Sequence, residues 1–209
     1  MNEQNQQPLE TLQDIKRIME RSSRFISLSG LSGIAAGICA LIGAWFATKE
    51  FKTFHSTNDG IYSASDMHQL KMRILIIAGA VLAAALVTSF YFTWKKARHN
   101  KLPVWDITTK RLLINMLIPL FAGGLFILAM LQQNDWKFIS PACLIFYGIA
   151  LVNASRYTLS DVRYLGLFQI LLGLINTQFI EYSLYFWAAG FGLLHIIYGF
   201  AMWWKYDRA

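Results

Sequence analysis

Six stretches without a single Lys, Arg, Asp or Glu leave this chain few ways to fold. They run over 25–47, 74–94, 112–131, 138–155, 164–180 and 183–204. Each holds 17 to 23 residues, and an α-helix needs about 20 to cross a hydrocarbon core of about 30 Å. In lipid, backbone polar groups must be paired within a helix or in a closed barrel. Barrel strands alternate apolar and polar residues over about ten positions, and these runs do not alternate. The pattern predicts an all-α polytopic membrane protein of six transmembrane helices, arranged as three helical hairpins. Six spans take more than half of the 209 residues, so the division expected is 1–24 as a polar tail with an interfacial helix and 25–209 as the bundle.

The basic residues orient the bundle. Lys16, Arg17, Arg21 and Arg24 precede the first span, and Lys95, Lys96, Arg98, Lys101, Lys110 and Arg111 lie between the second and third. Arg156 and Arg163 join the fourth to the fifth, and Lys205 and Arg208 follow the sixth. The other side holds Lys49, Lys52, Lys71, Arg73 and Lys137. Short loops rich in Lys and Arg stay in the cytoplasm, so both termini are expected there. All seven tryptophans fall at span ends or in a short loop, where an indole keeps its ring half buried and its N–H wet.

A net charge of +7 does not point to nucleic acid, because the cations sit in juxtamembrane loops. There they set topology and attract anionic membrane lipids. Cys39 and Cys143 lie within spans and read as small apolar residues rather than a disulfide framework. The first span starts late and follows an acidic, polar stretch, unlike a cleavable signal peptide. No cofactor is implied.

Ahead of the first span, Leu9, Leu12, Ile15, Met19 and Phe25 recur at helical spacing, opposite Glu10, Asp14, Arg17 and Arg21. This predicts a cytoplasmic amphipathic helix along the membrane surface, a place for a membrane-protein partner or a second copy of the chain to dock. The longest external loop, 48–73, has a turn at 56–60 and a helix capped by Ser63 or Ser65. His55, Asp66 and His68 in that loop lack the spacing of a metal site. Thr108 or Thr109 is expected to cap the third span.

The run from Asp14 to Gly33, DIKRIMERSSRFISLSGLSG, resembles the opening of small multi-span bacterial inner-membrane proteins of unassigned function. The resemblance implies a bacterial cytoplasmic membrane and transfers no active site.

Inside a bundle, small residues mark helix contacts. The first span carries Gly33 and Gly37, with Ala40 and Ala44 following, and the second carries Ala80, Ala84 and Thr88. These two are expected to pack together or across a dimer. Pro119 predicts a kink in the third span, with Gly123 and Gly124 leaving room for a neighbour. In the last hairpin, Gly166, Gln169, Gly173 and Asn176 form one stripe, matched by Gly192, His195 and Gly199. Depth along the two spans brings Gln169 and His195 within one helical turn. The fourth and sixth spans also share a motif, Ile145-Phe146-Tyr147-Gly148 and Ile196-Ile197-Tyr198-Gly199, which suggests parallel hairpin repeats.

His195 is the one histidine inside a span and therefore the candidate polar site, with Gln169 and Asn176. The spans hold no carboxylate to serve as its partner in catalysis. The expected function is a non-catalytic membrane module that binds a partner protein, a lipid or a small apolar ligand. The alternative is a small facilitative transporter of a neutral or lipid-like solute.

Overall fold

A computed structural model describes residues 29–57, 63–100 and 105–207. The amphipathic helix expected before the first span lies outside the described residues, as do 58–60 of the external turn and 101–104. Among the described residues the structure is helical throughout, without strands.

Four helices are long and apolar enough to cross a membrane. They are α1 (Gly30–Thr57), α2 (Ala64–His99), α3 (Ile107–Gln132) and, after two shorter ones, α6 (Ile180–Tyr206). The shorter pair, α4 (Ile139–Ala154) and α5 (Val162–Asn176), has 16 and 15 residues, about 24 and 22 Å at the α-helical rise. Both are shorter than the spans expected from composition. A turn at 155–161 closes α4 from α5, and α5 ends where Asn176 turns to side-chain partners. Length and apolarity therefore support four spans on their own, and the other two apolar segments form shorter helices.

Local chemistry fixes the ends. Ser63 caps α2 in a capping box: Ser63 Oγ accepts from the Asp66 backbone N–H, and Asp66 accepts from the Ser63 N–H. The Ser63 hydroxyl, which donates to Asp66 Oδ2 at 2.6 Å, and the Ser63 N–H hold the exposed Asp66 carboxyl below its ordinary value. From that cap α2 runs unbroken for 36 residues, absorbing the short helix expected ahead of the second span. For α3 the cap is Asp106, not Thr108 or Thr109: its Oδ1 accepts from Thr109 N–H at 2.7 Å and from Thr109 Oγ1 at 2.7 Å. Aspartate outcompetes the threonines because an ionised acceptor binds orphan N–H groups more strongly. Asn134, at φ 59°, ends α3 and accepts from Lys71 Nζ at 3.0 Å.

The helices form a row rather than a ring. α2 packs on α1, α1 on α6, α6 on the α4–α5 pair, and α3 on α4. Glycines set the close approach of α1 to α6, and a methyl at Gly30 would collide with the Trp203 backbone. A methyl at Gly199 would lie 2.6 Å from Ile34 N and 2.7 Å from Gly30 O, and one at Gly37 would lie 2.7 Å from Gly192 O. A methyl at Gly33 would meet Gly199 Cα at 3.2 Å, and one at Gly192 would collide with Leu41. The α1 stripe thus faces α6, while α2 touches α1 through Gly43 against Val81 and through Ser89 Oγ, which donates to Ser32 O. On α5, Gly166 and Gly173 face α4: methyls there would meet Gly148 O at 2.7 Å and Pro141 O at 3.0 Å. The two glycine stripes of the last hairpin therefore turn to different neighbours, not to each other. Near Pro119, Gly123 faces Phe146, whereas Gly124 and Gly79 face open space.

This difference is testable. Gly199→Val should lower stability by roughly 1–3 kcal/mol through overpacking, whereas Gly79→Ala and Gly124→Ala should be neutral or stabilising by up to about 1 kcal/mol. Thermal unfolding in detergent followed by tryptophan fluorescence reads the comparison.

Candidate functional site

Three helices bring the polar interior together. α6 is not uniform: Ala188–Leu194 is π-helical, between regular turns at Ser183–Trp187 and His195–Met202. A wider turn loosens the backbone ladder and lets side chains reach a carbonyl. Gly190 sits in that stretch, and its carbonyl accepts from Gln169 Nε2 at 2.8 Å and lies 3.0 Å from His195 Nδ1.

The imidazole tautomer follows from these partners. A carbonyl only accepts, so Nδ1 carries the proton and donates to Gly190 O. The ring is buried with no carboxylate among its contacts and is neutral, so Nε2 is the acceptor and the Tyr147 hydroxyl donates to it at 2.8 Å. Gln169 Nε2 approaches Nδ1 at 3.5 Å, but both atoms are donors, so that contact is no bond. His195 is thus neutral, with both nitrogens engaged. Phe191 stacks on the ring at 6.0 Å and 16°, and Tyr147 packs against Phe191 at 5.1 Å.

Gln169 is fully buried, and its Oε1 has no hydrogen-bond partner among the described residues. It lies over Gly190, where a methyl would come within 2.6 Å of Oε1 and collide with Leu144. Tyr198 Oη is likewise buried and unpartnered. Tyr147, Tyr198 and Tyr206 all pack on the apolar cluster of Leu151, Leu159, Val162, Leu165 and Met202.

Asn176 belongs to a separate clamp, two helical turns along α5. It donates to Ser140 Oγ at 3.0 Å and accepts from Ser183 Oγ at 3.1 Å, while Ser140 donates to Ser183 O at 2.9 Å. These bonds tie the start of α4, the end of α5 and the start of α6. The structure therefore joins Gln169 to His195 and holds Asn176 apart from them.

At the opposite end, Asp161 accepts from Lys205 Nζ at 2.9 Å and Tyr206 Oη at 2.8 Å. Partial burial pushes its carboxyl up, but the bonds from Lys205 and Tyr206 outweigh this and hold it below the ordinary 3.8.

Tyr147 and Gly190 were not singled out by sequence. Tyr147 lies in the motif shared with the sixth span, but only the packing of α4 beside α6 gives it a role. Gly190 needed knowledge of the π turn, which no local signal announces. Chemically, the arrangement joins a phenol, a neutral imidazole, an amide and a carbonyl, a set suited to holding helices in register. Among the described residues, no three His, Cys, Asp or Glu side chains converge as metal ligands. Compared with known proteins, the chain matches no family model, no curated protein and no solved structure.

Two predictions follow the geometry. His195→Leu orphans the Tyr147 hydroxyl, and Tyr147→Phe orphans Nε2, so a double-mutant cycle should return a coupling of about 1 kcal/mol. Unfolding in detergent measures it, and additivity would show that the pair does not interact. Asp161→Asn should lower the midpoint at pH 7. A depressed carboxyl stabilises the fold above its unfolded value, so the deficit relative to wild type should shrink as pH falls below 3.8.

Proposed function

We propose that the chain is a six-span, non-catalytic module of the bacterial cytoplasmic membrane that binds a partner protein, a lipid or a small apolar ligand. In this reading both termini lie in the cytoplasm, and α4 and α5 are the two short spans. The observation that carries the reading is the distribution of unused surface. Most of the polar interior is engaged in helix contacts, with the Gln169 carbonyl and the Tyr198 hydroxyl left over: His195 has both nitrogens engaged, and Asn176 bridges two serines. The outer helices remain open. None of the apolar core of α2 is buried and only 11% of that of α3, and Val87, Phe90, Ile118 and Phe121 are each more than 60% exposed. In water such faces would be untenable; in a bilayer they meet lipid or another membrane helix.

A second reading, a facilitative transporter of a neutral or lipid-like solute, is favoured by one feature. The π-helical stretch beside the unpartnered Gln169 carbonyl is a place where α6 can bend.

Reconstitution separates the two. The module reading expects the thermal midpoint to rise with specific added lipids, with solute-driven vesicle swelling equal to that of empty vesicles. Swelling above that baseline, lost in Gly190→Ala at unchanged protein content, would establish the transporter instead.

A further inference from the structure

At the basic end of the row, the start of α1 and the ends of α2 and α6 enclose a groove of about 660 Å³. Its rim carries the cations Lys95, Lys96 and Arg98 and the His99 imidazole, all from the last turns of α2. Its wall is apolar, with Leu31 from α1, Phe92 from α2 and Trp203 from α6. No acidic residue is among the described residues lining it. We propose that this groove is a binding site for one phospholipid of net negative charge, the phosphate held at Lys95, Arg98 and His99 and an acyl chain lying along Leu31 and Phe92.

A phospholipid is asymmetric in the same way as the groove, charged at one end and apolar along the other. A soluble anion would use the rim and leave the apolar wall wet, and an uncharged lipid would use the wall and leave Lys95 and Arg98 without counter-charge. A phospholipid satisfies both within one molecule. The depth is also right: charge changes to hydrocarbon within one turn of α2, between Phe92 and Lys95, and Trp94 beside them lies under the Arg98 guanidinium at 5.2 Å. That is the composition of the headgroup boundary. Basic residues in the last turn also complement the helix dipole, but this accounts for the charge on α2 and not for an apolar wall built from three helices.

The proposal deepens the membrane-module reading and rests on it. The test is native mass spectrometry of the full chain in mild detergent, titrated with phosphatidylglycerol and phosphatidylcholine of identical acyl chains. Wild type should retain one phosphatidylglycerol preferentially. Removing two cations with Lys95→Gln/Arg98→Gln should weaken that adduct by about thirtyfold. The control Lys110→Gln/Arg111→Gln, with cations at the start of α3, should leave it unchanged. Phe92→Ala should weaken both lipids alike. An equal loss in the control pair, no loss in the groove pair, or displacement by millimolar inorganic phosphate would each overturn the groove as a lipid site. If phosphatidylglycerol binds but ignores the groove variants, the module reading stands without this site. If neither lipid is retained or stabilises the protein, that reading loses its lipid arm as well.

Discussion

The close approach of α1 to α6 is the contact on which the rest of the structure depends. The row of helices has two ends, α2 held by α1 and α3 held by α4, and the α1–α6 interface joins them. Lipid tails are as apolar as leucine, so exclusion from water cannot hold two such helices together. What remains is contact between backbones, and contact requires that nothing project between them. Gly30, Gly33 and Gly37 on one side and Gly192 and Gly199 on the other meet that requirement. Once α1 is seated, its other face carries α2, while α6 presents Gly190 and His195 to α4 and α5.

Much of this was legible in composition, because the bilayer reduces folding to a question of which helix faces are smooth. The apolar runs located the helices, and the small residues of α1, α5 and α6 are contact residues in the structure. Partner choice was not legible. A glycine stripe states that something comes close and is silent on what: the α1 stripe reads as a contact with α2 or with a second copy, and it lies on α6. The expected length misled most for α5, since the charge-free run 164–180 continues through the turn at 177–178, where the backbone does not stay helical. Asp106 was passed over as a cap because threonines beside it offered the same role with equal local plausibility.

The polar site shows the same division. Gln169 and His195 share a depth, which counting residues along two helices can reveal. Their actual bond partner is the carbonyl of Gly190, made accessible by a π turn, and the second partner of His195 comes from a third helix. A buried imidazole with a phenol on one side and a carbonyl on the other is held in one tautomer and one rotamer. Its chemistry is that of a rivet, and the groups left over, the Gln169 carbonyl and the Tyr198 hydroxyl, border it rather than complete a reacting set.

The π-helical stretch of α6 has a consequence of its own. A π turn takes one residue more than an α turn, so it acts as a spliced-in residue that resets the angular phase of the helix by about 100°. Ser183, at the clamp with Asn176, and Gly199, against α1, lie on opposite sides of that phase shift. The two contact faces of α6 can therefore be aimed independently, as if two separate helices had been joined end to end.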